Sequence, residues 1–359
     1  MVKSVTPNKY LGDICIIRII LIFLLIIYHS LCPYTSDFWD NPQGYNIPVY
    51  YWIGRTSYSF MLETFVFISG VILGYQVLMK GTSILKFDKI VKSKIKRLLI
   101  PSIIFSSIYY LLFLDLSDST VSVIKTITYG AGHMWFLPML FWCFIAIYIL
   151  TRISFNDKII IPLLFIIACL SVVITLPLRI NQSLYYLFFF YTGYSVGLHH
   201  IQMSKFVSIK WISIALILFG ITFPLLSYCR YGIGVLELAN KMGGSMPLNI
   251  RLLIGYSFQN LCQLIYSIIG VFLIYTSVNY LILKKKIAVT NRIVSISSYC
   301  FGVYIFQEFI IRIFYYKLGA ISELNPYIFP WLSFAITLII SLILTHYSLK
   351  TRIGKFLLG

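Results

Sequence analysis

Two ionisable side chains, Arg18 and His29, lie inside the first apolar run of the chain, residues 14–31, which is long enough to cross a bilayer as a helix. Their separation of eleven residues, at about 100° each, amounts to about three turns, so both share one helix face. A charge at the bilayer centre costs about 2.5–3.5 kcal/mol on insertion scales, so such groups normally line a cavity or a pathway. A guanidinium suits phosphate binding and an imidazole suits proton transfer. The alternative is a polar pair that only holds helices together.

The composition of the whole chain is that of a membrane protein. Of its 359 residues, 59% are hydrophobic and 11% are charged, and the mean hydropathy is +0.88, whereas about a quarter of the residues in soluble proteins are charged. We predict an all-α, polytopic membrane protein with about ten transmembrane helices. Their predicted positions are residues 13–34, 60–79, 98–114, 134–151, 159–176, 184–198, 212–228, 256–283, 294–316 and 329–349. The segment 256–283 contains Gln259, Asn260 and Gln263, which predict a tilted or broken helix.

The basic residues predict the orientation of these helices, because cytoplasmic loops carry an excess of Lys and Arg. With the N-terminus in the cytoplasm, most of the 29 Lys and Arg residues fall in cytoplasmic segments. An even number of spans then puts the C-terminus on the same side. The net charge of +18 follows mainly from this bias. We therefore expect it to attract anionic lipid headgroups or an anionic cytosolic ligand, and we expect no nucleic acid partner.

The loops between the predicted helices are too short for an independent domain. Residues 1–359 are therefore predicted to form a single membrane domain without a soluble domain. The seven cysteines are scattered along the chain without the spacing of metal ligands. We expect free thiols and no bound metal.

Polar motifs recur in order along the predicted helices. They are Arg18 and His29 in the first, Glu63 and Ser69-Gly70 in the second, Lys96-Arg97 and Pro101 at the third, Gly132-His133 and Trp135 at the fourth, and Tyr299, Gly302 and Tyr304 in the ninth. In this order the set resembles acyltransferase family 3, integral membrane acyltransferases that modify cell-surface polysaccharides and other extracytoplasmic acceptors. The resemblance covers nearly the whole chain.

The resemblance implies that Arg18 and His29 are essential, that acetyl-CoA is the usual donor, and that the donor is cytosolic while the acceptor is usually extracytoplasmic. Arg18 would then hold a CoA phosphate or the thioester region. His29 would act either as general base on a sugar hydroxyl or as the carrier of the acyl group. Glu63 matches an acidic position of the family and is expected to orient His29, the alternative being an ordinary carboxylate near a helix end.

Further motif residues are assigned to the donor or the acceptor. Arg97 and Lys96, in a strongly basic cytoplasmic loop, are expected to bind the donor phosphates in addition to orienting the chain. His133 and Trp135 are expected to form an acceptor-side stacking surface. A tryptophan at this depth is equally typical of the interfacial aromatic belt.

The ninth helix departs from the family in one place. Gln307 follows Tyr304 where many relatives have a histidine or another polar residue. An amide can keep a hydrogen bond but cannot shuttle a proton, so we predict an acceptor-side binding or positioning role for Gln307, together with Tyr304. Glu308 and Arg312 are four residues apart, which predicts an ion pair along the helix.

These features together predict a multi-pass O-acyltransferase of the cell inner (plasma) membrane. It would transfer an acyl group, in the usual case acetyl, from cytosolic acyl-CoA to a polysaccharide or lipid-linked glycan. One alternative is a glycan transporter or polymerase with a similar number of spans and no acyl transfer. Another is a sensor or scaffold with a degenerate site, which the Gln307 departure would favour.

Overall fold

The computed structural model describes residues 7–35, 39–114, 119–153, 156–199, 204–241 and 246–359, and every regular element in these ranges is helical. The helices of seven or more residues are α1 (Pro7–Ser30), α2 (Pro48–Tyr58), α3 (Met61–Lys80), α4 (Phe87–Lys94), α5 (Ile100–Phe113), α6 (Thr120–Tyr129), α7 (Phe136–Leu150), α8 (Asp157–Leu170), α9 (Ile180–Leu198), α10 (Ile209–Ser227), α11 (Val235–Lys241), α12 (Leu248–Leu283), α13 (Asn291–Arg312), α14 (Phe329–Ser348) and α15 (Arg352–Leu358). The predicted all-α class is confirmed.

Eight helical segments of the described chain are long and apolar enough to cross a membrane, fewer than the ten predicted. They are Gly12–Ser30, Pro48–Lys80, Phe87–Phe113, Gly132–Leu150, Ile209–Gly232, Leu248–Leu283, Asn291–Lys317 and Phe329–Ser348. The difference lies at α8 and α9. Helix α8 has 14 residues, about 21 Å at 1.5 Å each, which is shorter than the roughly 30 Å hydrocarbon core. Helix α9 carries Asn181, Gln182 and several hydroxyl groups among its apolar residues.

Helix α12 is continuous over 36 residues despite its amide side chains. At 1.5 Å per residue it measures about 54 Å, well beyond the roughly 30 Å hydrocarbon core. Of the two predicted alternatives, a broken helix is therefore wrong. A helix of this length has to tilt or to extend past the hydrocarbon region.

A π-helical turn, Ile95–Leu99, joins α4 to α5 directly before Pro101. Proline has no backbone N–H, and in a regular helix its ring would clash with the carbonyl group of Arg97, four residues earlier. A π-helical turn changes this register and leaves room for the ring. The segment Phe87–Phe113 therefore remains helical throughout, and Lys96 and Arg97 lie exposed within it.

Contacts between helices group the chain into two compact units, and the first contains residues up to Met61, Ile100–Met134 and Leu281–Gly359. In this unit α1 packs against α2, α13 and α14. A buried cluster lies at one end of these helices and consists of Cys32, Trp39, Ile311, Tyr315, Ile321 and Phe329. The hydroxyl of Tyr315 donates a hydrogen bond to the Ser30 carbonyl oxygen at 2.6 Å. This cluster holds the end of α1 that carries His29 against the end of α13.

The second unit contains Leu62–Leu99 and Trp135–Tyr280. Its central helix α9 packs against α7 and α8. Helices α3 and α9 also cross in direct backbone contact, because each has two glycines four residues apart at the crossing. These are Gly70 and Gly74 in α3, and Gly193 and Gly197 in α9. Small residues at this spacing permit close helix approach in membranes, so Gly70 has a packing role in the structure.

We expect Gly74→Leu to destabilise the second unit. A Cβ atom at Gly74 would overlap the carbonyl oxygen of Tyr194, a backbone atom that cannot rotate away. Overpacking typically costs about 1–3 kcal/mol, so the melting temperature in detergent should fall measurably. Gly220→Leu in α10 is the matched control, because among the described residues no atom beyond its own stretch of helix lies within 4 Å of a Cβ at that position. Equal melting temperatures for the two variants would contradict the helix crossing.

Candidate functional site

His29, near the end of α1, is buried with 8% of its surface exposed. Its Nδ1 lies 2.7 Å from Oε1 of Gln307, and its Nε2 lies 3.9 Å from Oε2 of Glu308. Because a carbonyl oxygen only accepts, the first contact places the hydrogen of a neutral imidazole on Nδ1. Nε2 then keeps its lone pair, which is the state required of a proton acceptor.

Glu308 is the centre of the polar cluster around His29, and only 4% of its surface is exposed. Its Oε1 accepts hydrogen bonds from the hydroxyl of Tyr109 at 2.8 Å and from Nε of Arg312 at 3.0 Å. Its Oε2 lies 2.9 Å from Nδ1 of His133, at ion-pair distance. Buried carboxylates are tolerated where cations and hydrogen-bond donors surround them, as they do here.

The ring of His133 is held by the backbone of α13. Its Nε2 donates to the carbonyl oxygen of Ile305 at 3.0 Å, and the hydroxyl of Tyr304 donates to the carbonyl oxygen of His133 at 2.6 Å. The rings of His133 and Tyr304 also pack edge to face at 5.2 Å. Three of the four residues predicted on the acceptor side therefore lie in the cluster beside Glu308: His133, Tyr304 and Gln307.

Arg312 completes the cluster. Its ion pair with Glu308 along α13 was predicted from the spacing and is confirmed. The guanidinium lies over the ring of Trp39, 4.3 Å from the ring centre, a geometry typical of cation–π contacts. The ring of Trp39 also stacks near that of His29 at 6.1 Å. One indole thus covers both a cation and the imidazole, and this arrangement limits the access of water to them.

The cluster is able to accept a proton and to stabilise the charge that results. Gln307 fixes the orientation of the imidazole, and the carboxylate of Glu308 faces its free nitrogen. A neighbouring carboxylate stabilises an imidazolium as it forms, which is the role of the acid in serine hydrolases. The 3.9 Å between Nε2 and Oε2 is too long for a hydrogen bond, so Nε2 keeps its lone pair free of Glu308.

Arg18 is half-buried in α1, about three turns before His29. Within the described residues it has no hydrogen-bond or ion-pair partner, and its ionisable neighbours are the thiols of Cys15 and Cys300. An unpaired guanidinium in a membrane-length helix is costly unless a ligand or water compensates it. The donor-binding role predicted for Arg18 is compatible with this environment and stays a prediction.

Glu63 lies in the second unit, where it belongs to a separate polar cluster. Its Oε1 accepts hydrogen bonds from Tyr185, Gln263 and Ser267 at 3.1, 3.2 and 3.3 Å. The oxygen of Gln263 accepts in turn from Nε of Arg230 at 3.2 Å. One amide and one hydroxyl of α12 thus contribute to satisfying a buried carboxylate. That Glu63 orients His29 stays a prediction, and the carboxylate that faces His29 in the structure is Glu308.

The other predicted residues of the second unit are less enclosed. The ring of Trp135 packs against those of Phe136 and Tyr186 and is partly exposed. Arg97 and Lys96 are exposed in the π-helical turn. Their predicted roles in binding acceptor and donor stay predictions.

Tyr109 is the residue of the cluster that the sequence did not indicate. It lies in the middle of an apolar helix, α5, and 2% of its surface is exposed. A buried tyrosine hydroxyl normally has a hydrogen-bond partner, so a partner for Tyr109 could be expected from the sequence. The sequence does not show which of the eleven acidic residues of the chain is that partner.

The fold and the site define a polytopic helical membrane protein with a buried histidine–carboxylate cluster between its first helix and α13. The family model described as an acyltransferase domain matches residues 11–346, nearly the whole chain. The protein therefore belongs to acyltransferase family 3, a family of membrane acyltransferases, as the motifs predicted. No curated protein and no solved structure shows significant similarity to it.

Proposed function

We propose that the protein is an O-acyltransferase that uses cytosolic acyl-CoA, in the usual case acetyl-CoA. The acceptor would be a hydroxyl group of a polysaccharide or lipid-linked glycan outside the cytoplasm. Family membership supplies the reaction class. The observation that supports the site is His29, held by Gln307 through Nδ1 and facing Glu308 with Nε2.

In the proposed reaction Nε2 of His29 removes the proton from the acceptor hydroxyl while its oxygen attacks the thioester carbonyl carbon. The bond between carbon and sulfur then breaks, and the acyl group stays on the acceptor as an ester. The proton on His29 passes to the CoA thiolate, so the imidazole returns to its neutral form. Glu308 stabilises the imidazolium between these steps. General-base catalysis of this kind contributes about 10²–10⁴-fold.

The donor would bind through arginine and lysine side chains. Arg18 lacks a partner among the described residues and would hold a CoA phosphate or the thioester region. Arg97 and Lys96 are exposed in the basic segment and would contact the phosphates from the cytoplasmic side. On the acceptor side, His133, Tyr304 and Gln307 would shape the pocket around the hydroxyl, and Trp135 would stack on a sugar ring.

We also propose that the protein lies in the cell inner (plasma) membrane with both termini in the cytoplasm. The Lys and Arg excess in alternate loops supports this orientation. A ten-span topology would require α8 and α9 to cross as well, α8 with the adjoining turn Ser171–Val173. Donor and acceptor would then reach the polar cluster from opposite faces.

Membrane vesicles of both orientations test the reaction and its sidedness together. We expect radiolabelled acetyl-CoA to label glycan material in inside-out vesicles, where the cytoplasmic face is accessible. Sealed right-side-out vesicles should show labelling only after permeabilisation. Label in sealed right-side-out vesicles would invert the topology, and no protein-dependent label in either preparation would contradict an acetyl-CoA-dependent transferase.

A further inference from the structure

A cavity of about 280 Å³ lies in the second unit, between α3, α7 and the basic segment around α4. Three aliphatic side chains form part of its wall. The remaining lining side chains are Gln76, Ser83, Lys89, Ser93, Lys94 and Phe144. No acidic side chain lines this space, which we call the lysine cavity. It is lined by two cations, three neutral polar side chains and one aromatic ring.

Lys94 is the innermost cation of the lysine cavity. Its side chain is half-buried, and its Nζ lies 3.6 Å from the centre of the Phe144 ring. The ring covers one side of the ammonium group and partly compensates its loss of water. Within the described residues no carboxylate lies at ion-pair distance from Lys94 or Lys89. Their charge is therefore available to an anion that enters the cavity.

The charge of the segment that surrounds the cavity also favours an anionic ligand. The segment from Lys80 to Arg97 has seven basic residues and a single acidic one, Asp88. Clustered charges of one sign raise the local concentration of ligands of the opposite sign. The orientation of the chain explains why such a loop is basic, but not why two of its lysines line a cavity with hydroxyl groups.

We propose that the lysine cavity is a binding site for a phosphate ester. A phosphomonoester, such as the terminal phosphate on the ribose of CoA, carries about 1.5 to 2 negative charges at neutral pH and three acceptor oxygens. The phosphodiester of a lipid headgroup carries less charge but still presents charged acceptor oxygens, and ammonium and hydroxyl donors match both. Lysine is a common phosphate ligand because it acts as a point charge. The volume of about 280 Å³ is just below the roughly 300–1,000 Å³ of pockets that enclose whole drug-sized ligands. The cavity therefore suits one phosphate end of a larger molecule.

Two ligands present this chemistry at a cytoplasmic membrane face. One is the acyl-CoA donor, and in that case the site deepens the proposed function by adding Lys89 and Lys94 to donor binding. The other is the headgroup of an anionic lipid, which basic residues next to a membrane attract. The chemistry of the cavity is the same for both, so the test compares them.

The test uses the full chain in nanodiscs of zwitterionic phosphatidylcholine. Calorimetry measures the Kd for CoA, and native mass spectrometry measures the phosphatidylglycerol retained after it has been added to the discs. The variant is Lys89→Gln/Lys94→Gln. The matched control is Lys86→Gln/Lys92→Gln, which removes the same charge from exposed positions that do not line the cavity. Ser93→Phe fills the cavity without a change in charge.

We expect the cavity variants to weaken one ligand by about tenfold or more, the usual effect of losing a hydrogen bond to a charged group, with little change in the control. A loss for CoA identifies the donor, and a loss for phosphatidylglycerol identifies a lipid site. Unchanged binding of both ligands, or an equal loss in the control, would overturn the proposal. Binding is measured without turnover, so a failed binding test would not contradict acyl transfer at His29. In the same way, a failure to detect acyl transfer would not change a measured Kd.

Discussion

His29→Ala is expected to lower kcat for acyl transfer by about 10²–10⁴-fold or more, because alanine has no imidazole nitrogen to accept the proton of the acceptor hydroxyl. The KM for acyl-CoA should change little, since the imidazole is not assigned to donor binding. The assay is transfer of labelled acetyl groups in inside-out vesicles. Melting temperature and CoA affinity, measured on purified protein, show whether the variant is folded.

His346→Ala is the matched control for this change. His346 lies in α14, where its Nδ1 and the Tyr299 hydroxyl are 3.1 Å apart at an exposed position. Its removal should leave transfer unchanged. Wild-type activity in a folded His29→Ala protein would exclude His29 from the mechanism. A rise in KM for acyl-CoA at constant kcat would instead assign His29 to donor binding.

Gln307→Leu would separate the orientation of the imidazole from its chemistry. The variant keeps the size of the side chain but removes the oxygen that fixes the Nδ1 hydrogen. If Gln307 is a positioning residue, kcat should fall by less than in His29→Ala. In that case the double variant His29→Ala/Gln307→Leu should have a kcat no lower than that of His29→Ala alone, because the effects of residues that act as a unit are not additive.

The sequence predicted the local features of the fold well. Helical structure occurs at every one of the ten apolar segments, and the ion pair between Glu308 and Arg312 followed from their spacing. The lengths of the helices were harder to predict, because hydropathy does not show where a helix ends. Helix α8 ends at Leu170, before it reaches membrane length. Helix α12 continues through Gln259 and Gln263, whose amide groups bond to Glu63, Arg230 and a backbone carbonyl.

The site shows where a single sequence stops being informative. Arg18 and His29 stand out because ionisable groups are rare in apolar helices. The partners of His29 do not stand out, since His29 and Gln307 are 278 residues apart in the chain. The aromatic motif around His133 and Trp135 suggested a common stacking surface. In the structure the His133 ring contacts Glu308 and Ile305, which the motif did not indicate, and its stacking role stays a prediction. Contacts at such separations depend on which helices pack together, and spacing carries no information on that.

The carboxylate of Glu308 should be the most important single charge for the stability of the first unit. It lies within 3.0 Å of Tyr109, His133 and Arg312, and all of these contacts are buried or half-buried. Glu308→Gln keeps the shape of the side chain but leaves the guanidinium of Arg312 without its counter-ion. Removal of one partner from a buried ion pair typically costs about 3–5 kcal/mol. We therefore expect a large fall in melting temperature and a loss of transfer.

The matched control is Glu237→Gln in α11. Glu237 pairs with Lys241 at the same spacing of four residues, at 2.7 Å, but both side chains are more than half exposed. Exposed ion pairs contribute little to the free energy of unfolding, so this variant should have the melting temperature of the wild type. Arg312→Met/Glu308→Gln adds a test of the pairing, because removal of both charges should recover part of the lost stability. If Glu308→Gln melts like Glu237→Gln, the cluster does not stabilise the fold. A folded but inactive Glu308→Gln protein would then assign the carboxylate to the imidazolium of His29 alone.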